Sequence, residues 1–327
     1  MLATNSAVVA ISNEVQSATG ISLPVVDPND PAEVALHQVM VEDDQATDEV
    51  DKWIQDNNAF AANGAGIPKE ELNQRIRARF DLVRKAYQDY LLKYPNSARG
   101  HLAYGTFLND LGEEDAGAAE YEKSKTLDPT NPAVWNNLAN YYGEYGGVTN
   151  AFVDYTEAIR LDPTEPIYYQ NFGTTVYLFR KDAKEFYHID EQQTFDKALG
   201  LYRQAMQLSP TNLVLATDYA ESYYGIKPLR TNDALVAWTN ALNLTRDDNE
   251  REGVLIHLAR VKITAGFYQD AQADLDAITN SAFADMKGRL ERSLVEHKNR
   301  PKNASDENPT NAPASTLDSR TAPKSKS

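Results

Sequence analysis

The sequence predicts an all-α fold, a solenoid of helical hairpins, from three observations. One pattern runs twice within residues 98–163 at a fixed separation of 34 residues: Gly105-x-x-Leu108, Tyr121-x-x-Ser124 and Asp128-Pro129 return as Ala139-x-x-Tyr142, Tyr155-x-x-Ala158 and Asp162-Pro163. Apolar residues recur at three- and four-residue steps, the period of one buried helix face, and no stretch alternates as a half-buried strand does. Gly112 and the pair Gly146-Gly147 interrupt that period midway through each copy, so each copy is two helices.

This spacing and residue order resemble the tetratricopeptide repeat, whose units set a large side chain of one helix beside a small residue of its neighbour and close on a proline turn. Trp135, Leu138, Ala139, Tyr142, Ala151, Tyr155, Ala158 and Pro163 carry the resemblance in the second copy, and Tyr104, Gly105, Leu108, Tyr121 and Pro129 in the first. It implies about five to six repeats over residues 48–297, wound as a right-handed superhelix and closed by a terminal capping helix.

Taken in order, residues 1–29 read as a flexible leader, small and polar with Gly20 and Pro24. An acidic helical region follows over 30–68. It starts with Asp30 as cap, Pro31 at the first helical position and Glu33 placed to complete a capping box. Its acids surround Val50, Trp53 and Ile54 with only Lys52 to balance them, which reads as a solvated face or an acidic docking surface.

The solenoid spans 69–297. Leu72, Ile76, Phe80, Val83, Tyr87 and Tyr90 mark the second helix of a divergent first repeat, whose first helix is expected between Asp48 and Phe60. Asn131-Pro132 and Glu165-Pro166 open later first helices. In the unit after Pro166 the closing features Ala198, Tyr202, Ala205 and Pro210 arrive thirteen residues late, so residues 180–194 are an insertion, expected to lengthen the second helix or to add a loop. Phe283, Met286, Leu290 and Leu294 space a capping helix, and 298–327 read as a disordered tail.

Composition narrows the function. With 48 acidic and 32 basic residues the formal charge is -16, which opposes nonspecific binding to nucleic acid. No stretch approaches the roughly eighteen consecutive apolar residues of a membrane span, so no membrane insertion is expected. Cysteine is absent, which leaves both reducing and oxidising compartments open. A cytoplasmic location is expected, or a periplasmic or secreted one if a signal sequence was removed.

No catalytic, metal or cofactor constellation emerges. The five histidines, His37, His101, His188, His257 and His297, lack the spacing of a metal-binding helix, and no glycine-rich loop follows a strand. Tyr187-His188-Ile189-Asp190-Glu191 in the insertion is the nearest approach to a site, and it reads as a polar loop or cap.

The family's functional surface is the concave face of the first helices, which holds a peptide or partner helix. The resemblance places Asn136, Asn137 and Asn140 there, then Gln170, Asn171 and Thr174, then Thr217, Asp218 and Glu221, and finally His257 and Arg260. Amides both donate and accept, so such a series can read a backbone. Tyr141, Tyr168 and Tyr224 are candidate exposed anchors from three tyrosine doublets. The expected function is a non-catalytic protein-interaction scaffold or adaptor. A structural subunit of a larger assembly, homo-oligomers included, and an enzyme or enzyme accessory subunit are the alternatives.

Overall fold

The computed structural model describes residues 29–62 and 64–299. The expected leader lies outside them but for Asn29, and so does the expected tail but for Lys298 and Asn299, which belong to the last helix. The chain divides into two compact units, the first ending at Thr245 and the second starting at Arg246. Among the described residues every regular element is helical, and the helices pair as hairpins in the tetratricopeptide-like manner.

The first unit holds α1 (Pro31–Ala61), α2 (Lys69–Lys93), α3 (Ala98–Asp110), α4 (Glu114–Leu127), α5 (Pro132–Tyr145), α6 (Val148–Leu161), α7 (Pro166–Leu178), α8 (Arg180–Tyr187), α9 (Glu191–Leu208), α10 (Leu213–Glu221) and α11 (Thr231–Leu244). The pairs are α1 with α2, α3 with α4, α5 with α6, α7 with α9, and α10 with α11, and each pair also packs on the next. Caps fix where the first helices begin. Asp30 accepts from the Ala32 amide, Asn131 from that of Ala133 and Glu165 from that of Ile167, each ahead of a proline that has no amide hydrogen to satisfy.

α1 is longer than the expected first helix, running from Pro31 rather than from near Asp48. Much of its acidic face is engaged. Arg79 of α2 holds Glu42 and Glu49 at 2.8 Å each, the Arg75 guanidinium lies 3.8 Å from the centre of the Trp53 ring, and Tyr87 donates to Asp43 at 2.9 Å. Glu33 does not turn back to complete a capping box; it pairs with Arg99 of α3. Beneath these contacts Leu36 and Ala46 bury against Val83, Tyr87 and Phe107. That apolar contact carries the docking of α1, because half-exposed ion pairs contribute about 0–1 kcal/mol each.

The crossing of α3 and α4 is close. A Cβ on Gly105 would sit 2.7 Å from the Tyr121 ring, and one on Gly117 would sit 2.8 Å from the Gly105 carbonyl oxygen, so both positions require glycine. In the next hairpin Ala139 stands where Gly105 does, fully buried with Ala151, Phe152, Tyr155 and Phe172.

The insertion forms a separate helix, α8, between the two members of its hairpin, and its last residues lengthen the second helix, α9, to 18 residues against 14 in α4 and α6. Phe186 and Tyr187 reach back to the Phe152 ring, with centroids 5.4 and 5.6 Å away, and Ala183 is buried. His188 then ends α8 in the left-handed conformation at φ 54°. Asp190 and Gln193 start α9 with a reciprocal capping box. The histidine and acids of that stretch therefore serve helix ends.

The second unit holds α12 (Asp248–Ala265), α13 (Tyr268–Asp276) and α14 (Ala284–Asn299). α14 packs on both α12 and α13 and buries Leu294, as a capping helix does. Glu252 accepts from the amides of Asn280 at 2.7 Å and Thr279 at 3.0 Å, and these bonds hold its carboxyl below the usual range.

Candidate functional site

The first helices α5, α7 and α10 carry the candidate face of the first unit. At 3.6 residues per turn, positions four apart share a side of a helix, which groups Asn136 with Asn140, Gln170 with Thr174 and Thr217 with Glu221.

The amides of this face form a hydrogen-bonded ladder. Asn136 Nδ2 donates to Asn137 Oδ1 at 3.2 Å within α5. Asn171 Nδ2 of α7 donates to Asn136 Oδ1 of α5 at 3.1 Å. Gln170 Nε2, one residue before Asn171, donates to Asp218 Oδ2 of α10 at 2.7 Å. Three hairpins are thereby tied through side chains two deep. Asn136 is 3% exposed, so it is a link inside the ladder rather than part of the surface. Asn137, Gln170, Asn171 and Asp218 are half-buried and keep hydrogen-bonding capacity on their open sides. Burial pushes the Asp218 carboxyl up from its ordinary value, and the Gln170 amide partly offsets this.

A second series ties the face to the core. The Tyr121 hydroxyl donates to Thr106 Oγ1 at 3.3 Å, the Tyr155 hydroxyl donates to Asn140 Oδ1 at 2.6 Å, and Thr174 Oγ1 shares a hydrogen with the Tyr202 hydroxyl at 2.7 Å. Thr106, Asn140 and Thr174 stand 34 residues apart, so the same position of each first helix receives the hydroxyl of the tyrosine in its second helix. Burial raises the Tyr121 hydroxyl to about 12 and drives those of Tyr155 and Tyr202 upward as well, which keeps them protonated as donors. The sequence reading missed Thr106 and these tyrosines as supports of the face, although their spacing signals them.

The remaining candidates divide. Thr217 is half-buried and donates to its own helix at Val214 O, and Glu221 is exposed. Of the tyrosines expected to be exposed, Tyr141 is partly exposed and donates to Asp115 at 2.7 Å, and Tyr224 lies against Trp238. Tyr168 is 1% exposed and Tyr169 takes the more open place, because α7 is covered by α5, α6, α8 and α9. In the second unit, on α12, His257 is half-buried and Arg260 exposed, and burial with the Arg260 charge brings the imidazole down to about 4. His257 is therefore neutral at physiological pH.

Among the described residues, no group of three or more His, Asp or Glu side chains could hold a metal ion, and no helix is long and apolar enough to cross a membrane. What this arrangement offers chemically is hydrogen bonding and one half-buried carboxylate.

No protein-family model and no curated protein matches the chain. Solved structures do. MamA is 21% identical over 54% of this chain and 95% of its own, with a TM-score of 0.42. A thermophilic TPR protein of Thermus thermophilus is 18% identical over 61% of this chain and 100% of its own, with a TM-score of 0.44. PilF of Pseudomonas aeruginosa is 17% identical over 78% of this chain and 98% of its own, with a TM-score of 0.48. At these identities the likeness is one of fold.

Proposed function

We propose that this chain is a non-catalytic interaction scaffold that holds an extended segment of a partner protein along α5, α7 and α10. The observation that supports this most is the amide ladder from Asn137 through Asn136 and Asn171, continued by Gln170 to Asp218. Side chains linked in this way are fixed before any ligand arrives, so a bound segment need not order them, and that lowers the entropic cost of binding. Open amide groups at successive helices can donate to peptide carbonyls and accept from peptide amides.

Selection of displayed random linear peptides on the full chain tests the reading. Peptides should enrich on the wild type, and their binding should fall about tenfold in Asn171→Ala, as expected for a lost hydrogen bond and a disturbed link. Enriched peptides that bind Asn171→Ala and wild type equally would place the ligand on another surface.

A further inference from the structure

The charge on this face selects among ligands. α5, α7 and α10 contain no lysine or arginine, whereas α5 ends near Glu144 and α10 carries Asp218 and Glu221. The family pattern of cations that grip a terminal carboxylate is thus absent from these three helices.

Asp218 is the focus. Its Oδ2 accepts from the neutral Gln170 amide, burial pushes its carboxyl up, and among the described residues no cation pairs with it. A half-buried carboxylate bonded only to an amide has lost part of its hydration without gaining an opposite charge. Its other oxygen, Oδ1, can take a charge-assisted bond from an ammonium or guanidinium, which is shorter and stronger than a neutral one. An acidic ligand would meet the opposite situation and be repelled.

Resting on the scaffold reading above, we propose that the bound segment is basic: its backbone runs over Asn137 and Asn171, and a lysine or arginine side chain reaches Asp218 Oδ1. Complementarity of this kind fixes register as well as partner, because only one position of the segment lies opposite Asp218. Gln170 holds the carboxylate in place and is a positioning residue for that contact.

The test compares displayed random linear peptides selected on the full-length wild type and on Asp218→Asn, which keeps an oxygen for Gln170 and removes the charge. The wild type should enrich lysine and arginine over aspartate and glutamate at one peptide position by about tenfold, and Asp218→Asn should still enrich peptides without that preference. Replacing the enriched lysine by norleucine in a synthetic peptide, which leaves the protein untouched, should weaken binding to the wild type about tenfold. Peptides enriched without a basic preference, or a preference that survives in Asp218→Asn, would overturn this inference and leave the scaffold reading standing. An amphipathic or acidic consensus would overturn it in the same way. No enrichment on the wild type would overturn both.

Discussion

The Tyr155 hydroxyl donates to Asn140 Oδ1 at 2.6 Å and also accepts from Thr175 Oγ1 at 3.2 Å, so a core tyrosine is held by the first helix of its own hairpin and by that of the next. Asn140 is exposed, yet it is not an inert surface position. Tyr155→Phe and Asn140→Ala should each lower stability by about 1 kcal/mol, the net worth of a hydrogen bond whose buried partner is left wanting. Denaturant unfolding measures both, and a double mutant no worse than either single one would show that the bond between them is what was lost.

Ala139 and Ala158 are fully buried, Ala139 among Tyr155, Phe172 and Val176. Ala139→Leu and Ala158→Leu should each destabilise by about 1–3 kcal/mol through overpacking. Equal stability of Ala139→Leu and wild type in denaturant would mean that this contact has room to expand.

The tryptophans are unequal. Trp238 is fully buried, whereas Trp135 is half-buried, with its Nε1 donating to Pro129 O at 2.8 Å and the Lys125 ammonium 3.9 Å from its ring centre. Truncating Trp238 to alanine should cost about 3–5 kcal/mol, and Trp135→Ala at least about 1 kcal/mol less, because less of its surface leaves water on folding. Unfolding midpoints in the reverse order would contradict this packing.

The docking of α1 should respond to pH through Asp43. Burial, with Asp44 and Asp110 nearby, raises its carboxyl from the ordinary 3.8 to about 6 despite the bond from Tyr87. A raised folded-state value means that the folded protein holds this proton more tightly than the unfolded chain. Stability from this group is therefore present below about pH 4 and is lost as pH rises toward 6, by up to about 3 kcal/mol. Asp43→Asn, which cannot ionise, should be more stable than the wild type at about pH 7.5 and nearly equal to it at about pH 3, below the unfolded-chain value. Chemical unfolding at the two pH values checks this, and a gap that does not change with pH would remove Asp43 as its source.

Local signals made most of the fold legible from the sequence. The 34-residue period, Asp30-Pro31, Asn131-Pro132 and Glu165-Pro166 each act through neighbouring backbone, so composition and spacing reveal them. The length of α1 was hidden because its face looks solvated until Arg79 of α2 is brought opposite Glu42 and Glu49 and Arg75 over the Trp53 ring. The insertion was located but not its separate helix, since α8 is held by Phe186 and Tyr187 against Phe152, a contact across more than thirty residues of sequence. The face was legible as a series of polar positions. Its linkage was not, because Asn136 to Asn171 and Gln170 to Asp218 depend on how adjacent hairpins are set against each other.

The most direct measurement of where a partner sits is site-specific photocrosslinking with benzoylphenylalanine in place of Thr217 on α10, whose hydroxyl donates to Val214 O of its own helix and is not a member of the ladder, so that its replacement leaves the ladder intact. The control is the same group in place of Val153, 52% exposed on α6. With a display-selected peptide present, the Thr217 position should crosslink to it and the Val153 position should not; crosslinking at Val153 with none at Thr217 would contradict a ligand held along α5, α7 and α10.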